Sequence, residues 1–255
     1  MADALWIGGP PGAGKTTVAT RLMRRHGLRL YSSDTQTWAH RDRALASGNA
    51  AAARWESLTP AERSQQPPAE LLAQSLHRER GAMAVADVRA LPSSPLVVAE
   101  GSVITPAAVP DLAPAVWLLP VRAEPAKRLY ALVAAEIASE VAARSAPFVS
   151  VDGLAETVTA VEELFAEPLA RGPRAETLTE RQALLREANL ARVAQVRAYY
   201  ARPWAVGDAD TVRQTYVCEC GDPACEADVT LTVGAAAAEP TLTPGHSGRG
   251  ASSCK

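Results

Sequence analysis

Lysine is scarce in this chain of 255 residues, because three lysines stand against 23 arginines. Acidic residues number 28, so the formal net charge is −2, and no clustered basic stripe occurs. A nucleic-acid-binding protein usually carries such a stripe or patch, and its absence argues against that class of partner. We therefore expect a small-molecule or soluble partner.

Long apolar runs are also missing. No segment approaches the roughly 18 to 20 apolar residues that span a bilayer, and the N-terminus has neither the basic nor the apolar region of a secretory signal. These absences predict a cytoplasmic protein with no membrane contact. Hydrophobic residues still make up 47% of the chain, enough to fill the core of one large α/β domain plus a small appendage.

Cysteine is rare and unevenly placed. Three of the four cysteines lie within residues 218–225. In a cytoplasmic protein, cysteines crowded into one short segment indicate metal or redox chemistry rather than a disulfide framework.

The sharpest motif is residues 9–16, which fit the phosphate-loop (Walker A) pattern G-x-x-x-x-G-K-[ST] at every position. Residues 4–7 predict a buried strand before it, and residues 17–25 predict a helix after it. The glycines let backbone N–H groups turn toward a polyphosphate, and the helix start adds its positive dipole end. The predicted nucleotide-binding residues are Gly9, Pro10, Pro11, Gly12, Ala13, Gly14, Lys15, Thr16 and Thr17.

Two of these residues have specific expected roles. Lys15 would hold the β- and γ-phosphates, and the Thr16 hydroxyl would ligate Mg²⁺. Since the chain uses arginine almost everywhere else, lysine at this position indicates a need for a compact ammonium, which fits where a broad guanidinium does not.

Two carboxylates follow predicted strands. Residues 28–32 alternate like a strand that ends at Asp34, and residues 95–99 form an apolar run that ends at Glu100. Ligands of open parallel sheets bind off the carboxyl ends of strands, so both side chains are candidates for the site. Glu100 would hold the Mg²⁺ shell or orient the acceptor. The alternatives are a helix N-cap for Asp34 and a solvated loop acid for Glu100.

Residues 35–91 show no strand. Alanine-rich segments around 41–55 and 68–90 predict two helices, and Thr59 with Glu62 fits a capping box between them. We expect this helical block to cover the site from the substrate side. Trp38 and Trp55 either face a substrate or, more commonly for such residues, pack in the core.

Two further strands, 115–120 and 147–151, complete a set of five, and residues 154–166 predict an amphipathic helix. Alternation of strands and helices predicts an α/β fold, a five-stranded parallel sheet with helices on both faces. The cation that would act at the transferring phosphate comes from a group of basic residues after the fourth strand: Arg122, Lys127, Arg128 or Arg144.

The composition shifts at residues 168–174, which are rich in Pro, Gly and Arg. We expect a domain of residues 1–167, a linker of 168–178, a helix with a small Cys-rich β unit over 179–246, and a disordered tail of 247–255. A second capping-box match, Thr179 with Gln182, would open the helix. One face of that helix would carry Leu185, Ala188, Val193 and Val196.

Residues 9–152 resemble the small P-loop kinases, in particular the chloramphenicol phosphotransferase-like and gluconate- or shikimate-kinase-like group. The likeness rests on the glycine loop, the two strand ends at Asp34 and Glu100, and strand 117–120 with the basic residues after it. It implies ATP with Mg²⁺ as donor, Asp34 as base for a substrate hydroxyl, Glu100 near the metal or substrate, and a nucleotide base held near Asp152.

One feature departs from that group. Such kinases usually carry a lid with closely spaced arginines after the fourth strand. Here Arg128 runs almost directly into an alanine-rich helix with no further arginine before Arg144. The lid is therefore expected to be short, with Arg128 as the catalytic arginine.

The cysteine segment resembles a small actinobacterial-type module with the pattern CECxDPxC and a later Pro-Gly-His. Cys218, Cys220, Cys225 and His246 match it, and three thiolates with one imidazole would form a closed, structural Zn²⁺ site. Three thiolates with water, or with Cys254 as the fourth ligand, are alternatives. Thiols with no metal, forming a docking surface for a protein partner, are another.

Three functions remain open. The first is an ATP-dependent phosphotransferase acting on a hydroxyl of a small metabolite or natural product. The second is a nucleoside or nucleotide kinase, whose base-bearing acceptor would be held by aromatics and arginines of the helical block. The third is a non-catalytic ATP-binding switch or adaptor. A guanine-specific switch is disfavoured because the chain has no Asn-Lys-x-Asp stretch.

Overall fold

A computed structural model of the chain describes residues 4–111, 113–121 and 128–243. The strands are β1 (Ala4–Gly8), β2 (Arg29–Ser32), β3 (Val97–Glu100), β4 (Ala115–Pro120), β5 (Phe148–Val151), β6 (Arg213–Val217) and β7 (Asp228–Thr232). The helices are α1 (Lys15–His26), α2 (Thr37–Ala46), α3 (Ala50–Ser57), α4 (Pro60–Ser64), α5 (Pro68–Gln74), α6 (His77–Ala90), α7 (Arg128–Arg144), α8 (Leu154–Leu164), α9 (Ala166–Arg171), α10 (Leu178–Tyr200) and α11 (Val233–Ala238).

Strands β1 to β5 form one parallel sheet in the order β2-β3-β1-β4-β5. The predicted α/β fold with a five-stranded parallel sheet is confirmed. The register of the sheet brings three strand ends together, because Ile7 of β1 and Ser32 of β2 both lie opposite Glu100 of β3. The end of β1, which leads into the glycine loop, therefore lies beside the ends of β2 and β3.

Side chains of each strand alternate between two cores, one on each face of the sheet. Leu5 and Ile7 face a core formed with α1, α8 and α10, whereas Trp6 faces a core formed with α6 and α7. Burial on both faces explains why β1 is a continuous apolar run rather than an alternating one.

Helix α1 begins at Lys15, two residues earlier than predicted, because Gly14 adopts a left-handed conformation that turns the chain directly into the helix. Its inner face carries Val18, Ala19, Leu22 and Met23, which are buried.

The segments around residues 41–55 and 68–90 are helical as predicted, but each is interrupted, so that residues 37–90 form five helices, α2 to α6. Gly48, with φ of 77°, ends α2, and the Asn49 side chain then caps α3 by accepting a bond of 2.9 Å from the Ala52 N–H. A left-handed residue, Leu76, separates α5 from α6. The predicted capping box of Thr59 and Glu62 at the start of α4 is confirmed.

The capping box of α10 lies two residues before the predicted one. Thr177 accepts a bond of 3.2 Å from the Glu180 N–H, and the Glu180 carboxylate accepts one of 2.9 Å from the Thr177 N–H. The sequence offers two overlapping matches, and the one with a charged carboxylate, a stronger acceptor than the Gln182 amide, starts the helix.

Helix α10 contributes to two cores. Leu185 packs in the sheet core with α1, and Val193 packs with β6, β7 and α11 in a smaller core. Residues 166–171, which overlap the expected linker, form α9, and Leu169 lies in the sheet core.

Strands β6 and β7 pair as an antiparallel hairpin within the segment expected to form a small β unit. The expected tail of residues 247–255 lies outside the described residues. Among the described residues, we find no helix with the length and apolar character needed to cross a membrane.

Candidate functional site

The glycine loop joins the carboxyl end of β1 to the start of α1. Gly12 and Gly14 have φ of 85° and 79°, a region that L side chains rarely adopt, and a Cβ at either position would meet nothing within 4 Å. The loop therefore faces open space. Helix α1 starts without a side-chain cap, so the N–H groups of its first turn are available to an anion.

Lys15 lies in the first turn of α1 and is only 6% exposed. Its Nζ donates a hydrogen bond of 2.8 Å to the Pro10 carbonyl within the loop. Burial lowers the pKa of Lys15, and the carboxylates of Glu100 and Asp34 oppose that shift. The ammonium thus lies between the loop and two acids, where a phosphate oxygen could replace the Pro10 carbonyl.

Glu100, the last residue of β3, is completely buried. Its Oε1 accepts a hydrogen bond from the Ser32 hydroxyl, whereas Oε2 is buried with no hydrogen-bond partner among the described residues. Burial, and next the charge of Asp34, raise the pKa of Glu100, while Ser32, Lys15 and Thr16 act in the opposite direction.

A buried carboxylate oxygen without a hydrogen-bond donor has lost its hydration, and no hydrogen bond offsets the free-energy cost of that loss. A divalent cation would restore what it lacks, since Mg²⁺ prefers carboxylate and hydroxyl oxygens. The Thr16 hydroxyl lies near the same carboxylate and lowers its pKa. The donor set of Glu100 and Thr16 therefore fits Mg²⁺.

Asp34 lies two residues beyond β2, with an exposed side chain that faces the same cavity as Lys15. The helix N-cap interpretation is wrong, because Gln36 precedes α2 and the main-chain carbonyl of Asp34, not its side chain, accepts a bond of 2.8 Å from the Thr37 hydroxyl. The carboxylate is thus available to a ligand.

Arg80 of α6 is a site residue that the sequence analysis missed. Its guanidinium donates to the Ser33 carbonyl at 2.9 Å and to the Thr37 hydroxyl at 2.8 Å, and the side chain is buried against the segment that carries Asp34. Burial lowers the pKa of Arg80, which the charge of Asp34 opposes. This buried cation lines the cavity in front of the glycine loop.

His77 also lines the cavity, one helical turn before Arg80 on α6. Its ring is buried, and burial is the main cause that lowers its pKa, although Glu136 and the nearby backbone of Ser102 act against it. The imidazole is therefore neutral at pH 7 and able to accept or donate one hydrogen bond. The spacing of three residues on a predicted helix was the signal available in the sequence.

The cavity itself has a volume of about 630 Å³. Its floor is the glycine loop, one wall comes from Asp34 and the start of α6, and the other comes from α7. The lining residues are Pro11, Gly12, Gly14, Lys15, Thr16, Thr17, Asp34, Ser75, His77, Arg80, Ser102, Leu129, Tyr130 and Val133.

The basic residues predicted after β4, and Asp152, contribute no described side chain to this cavity. Arg128 begins α7 directly before the lining residue Leu129, but the placement of its side chain is outside the described part, as are Arg122 and Lys127. Arg144, at the opposite end of α7, is exposed and lines a separate cavity. Asp152 is exposed beyond β5, two strands away from β1, and does not line the cavity.

The tryptophans of the helical block stack with arginines. The Arg63 guanidinium lies 4.7 Å from the ring centroid of Trp55 and 4.0 Å from that of Trp204. Arg202 lies 4.9 Å from the centroid of Trp38. Neither Trp38 nor Trp55 lines the cavity in front of the loop. Trp38 is buried, as the core interpretation expects, whereas Trp55 is half-buried.

A second group of chemically active side chains lies in the C-terminal unit. The sulfurs of Cys218, Cys220 and Cys225 all lie within 4.8 Å of one another, a grouping that could hold a metal ion. Cys218 and Cys225 are buried and Cys220 is half-buried. His246 and Cys254, the expected fourth ligands, lie outside the described residues.

A scan of the chain against protein-family models finds no match, and a search of the curated proteins finds none either. The resemblance to small P-loop kinases therefore depends on the residues of the chain itself.

Proposed function

We propose that the protein is an ATP-dependent phosphotransferase that moves the γ-phosphate to a hydroxyl of a small metabolite or natural product. The observation that carries this proposal is the convergence of Lys15, Asp34 and the buried Oε2 of Glu100 around an open glycine loop. We infer a P-loop kinase fold from that motif on the five-stranded sheet.

The donor would bind along the loop. Backbone N–H groups at the start of α1 would receive the phosphate oxygens, and the Lys15 ammonium would exchange its bond to the Pro10 carbonyl for one to the β- and γ-phosphates. Thr16 and Glu100 would hold Mg²⁺, which neutralises charge on the transferring phosphoryl group.

The acceptor would lie on the side of Asp34. Its hydroxyl oxygen forms a bond to the γ-phosphorus, the bond between that phosphorus and the β–γ bridging oxygen breaks, and the hydroxyl proton passes to Asp34. The products are a phosphate ester and ADP. Because phosphoryl transfer proceeds through a loose transition state, positioning matters more than base strength.

Arg80 and His77 would position the acceptor rather than the donor. Both come from α6 and line the wall next to Asp34, and Arg80 is held rigidly by the Ser33 carbonyl and the Thr37 hydroxyl. A fixed buried cation and a neutral imidazole favour an acceptor with several oxygen atoms. The stacking of the helical-block tryptophans with arginines gives no support to a nucleoside acceptor.

The test is acceptor-dependent ADP release, measured across a panel of hydroxylated metabolites and antibiotics. We expect turnover with at least one acceptor, lost in Lys15→Ala and unchanged in the control Asp111→Asn, an exposed acid that lines a separate cavity. Mg-ATP binding without turnover on any acceptor would favour the ATP switch. Failure to bind Mg-ATP at all would overturn both.

A further inference from the structure

We propose that Cys218, Cys220 and Cys225 bind one structural Zn²⁺ ion, and that this metal holds the C-terminal unit against helix α1. This site is separate from the proposed phosphotransferase centre. The inference concerns how the chain is held together and does not require catalysis.

The sulfur positions suit a tetrahedral ion. Zn–S bonds of about 2.3 Å place the sulfurs of a tetrahedral site about 3.8 Å apart. The three sulfurs already lie within 4.8 Å of one another, so rotation about the side chains suffices to bring them to bonding distance. Thiolate ligands favour zinc over Mg²⁺ or Ca²⁺.

The backbone fixes the loop that carries these sulfurs. The Cys218 N–H donates to the Ala227 carbonyl at 3.1 Å and closes the loop at its neck. Inside the loop, the Asp222 side chain accepts a bond of 2.8 Å from the Ala224 N–H, and its carbonyl accepts one of 3.1 Å from Cys225. The cysteines therefore sit on a defined turn rather than on a free segment.

The chain that follows the hairpin is fixed against the cysteine loop. Glu219, between two of the cysteines, bonds Leu242 twice: its N–H donates to the Leu242 carbonyl at 2.7 Å, and its Oε2 accepts from the Leu242 N–H at 2.9 Å. Position 242 is thus held beside the cluster.

The core of this unit is small. Among the described residues it contains six buried side chains, and the sheet is a single hairpin of two five-residue strands. A two-stranded hairpin is marginally stable alone, and small units commonly depend on a metal. The buried core residues are Val193, Tyr216, Val229, Val233, Ala236 and Leu242.

The same loop contacts the helix that follows the glycine loop. Arg24 of α1, which is buried, donates to the Ala227 carbonyl at 2.8 Å and to Asp228 at 2.8 Å, and Arg21 pairs with Glu226 at 3.0 Å. These acceptors lie at the neck of the cysteine loop or just beyond it. A metal that orders the loop would therefore also order the surface on which α1 packs.

The decisive experiment measures metal in the full chain, purified under reducing conditions without chelator. We expect close to one zinc per chain by elemental analysis. Co²⁺ added to the metal-free, reduced protein should give thiolate-to-cobalt charge-transfer absorption and the strong visible bands of a tetrahedral ion. Zinc in Lys15→Ala should remain at the same level, which separates this inference from the proposed phosphotransferase activity.

Variants then identify the ligands. Cys220→Ser, chosen because this side chain is half-buried, should lose the cobalt charge-transfer intensity of one thiolate. His246, the fourth ligand that the sequence pattern predicts, lies outside the described residues, and His246→Ala should lower zinc affinity about tenfold or more, since even outer-shell changes cost that much. Cys254→Ser is the matched control and should leave both readouts unchanged.

Two results would overturn the proposal. One is the absence of zinc together with no cobalt charge-transfer band in fully reduced protein. The other is a mass two hydrogens lower in protein handled without reductant, with peptide mapping to a bond between two of the three cysteines and no metal. Should Cys254→Ser weaken binding while His246→Ala does not, the assignment of the fourth ligand is wrong.

Discussion

The glycine loop and the cysteine loop both carry a ligand site on a short turn, but different forces fix their shapes. The glycine loop is anchored between β1 and α1, whose side chains belong to the large buried core of the sheet. The cysteine loop extends from a two-stranded hairpin with a small core. The first site is therefore formed by packing before any ligand binds, whereas the second is expected to depend on its ligand.

Lys15→Ala gives the largest expected effect and tests whether the glycine-loop site carries out phosphoryl transfer. Removing the ammonium should lower acceptor-dependent ADP release by about 10³-fold, the scale for losing a principal electrostatic contact in a transition state. The fold should survive, because the substitution removes a buried charge. Lys255→Ala is the matched control, and equal turnover in both variants would refute the role of Lys15.

Asp34→Asn is expected to lower kcat by about 10²-fold, because the hydroxyl proton then lacks its acceptor. The effect belongs at the lower end of the range for general bases, since loose phosphoryl transfer needs little base assistance. Calorimetric titration should show Mg-ATP binding retained. If kcat is unchanged while Asp111→Asn behaves in the same way, the role passes to Glu100 or to positioning alone.

Metal removal should change amide exchange in the C-terminal unit but not in the parallel sheet. Chelation of full-length protein is expected to increase amide exchange over residues 213–242 by about tenfold or more, because the unit loses the ion that supports its small core. Exchange in β1 and β3, at the centre of the sheet, should not change. Equal acceleration in both regions would mean that the unit and the sheet unfold together.

Glu100→Gln has the smallest expected effect, a change in the free energy of unfolding. It tests how much the buried carboxylate of the glycine-loop site destabilises the metal-free fold. Burial raises the pKa of Glu100, so the folded state binds more protons than the unfolded state between the two pKa values. In metal-free wild type, that side chain therefore reduces stability as pH rises above the ordinary range of Glu.

The glutamine variant should thus be more stable at neutral pH, by roughly 0.5–2 kcal/mol, with the gain vanishing toward pH 4. Urea unfolding from pH 4 to pH 8 measures it, and Glu79→Gln on the exposed side of α6 is the control. A less stable variant at pH 7 would contradict the account of Glu100 as an unsatisfied buried acid.

The sequence predicted the features that depend on local periodicity. Strand β4 has the predicted bounds, and Asp34 and Glu100 lie at strand ends because apolar runs stop where a strand leaves the core. Arg80 was missed because its role depends on how α6 is rotated against the segment after β2, a contact between residues 47 positions apart. In the sequence, only its spacing of three residues from His77 distinguishes this arginine from the others in the same helix.

Local choices between equivalent signals also escaped prediction. Two overlapping capping-box matches occur at the start of α10, and the Glu180 carboxylate, a stronger acceptor than the Gln182 amide, selects the first of them. The breaks in the helical block depend on single residues such as Leu76, whose left-handed conformation is stabilised by complete burial of its side chain rather than by its intrinsic preference.

Strand β2 is an edge of the sheet, and α10 packs beside it, with Arg29 of the strand paired to Glu187 of the helix at 3.1 Å. During synthesis this strand leaves the ribosome roughly 150 residues before the helix that shields it, so the edge is open to pairing with other chains for much of translation. A chain that stopped before residue 177 would keep that edge uncovered permanently. Such truncated products should aggregate. The last third of the chain, which contains α10, therefore protects the edge strand β2 from pairing with other chains.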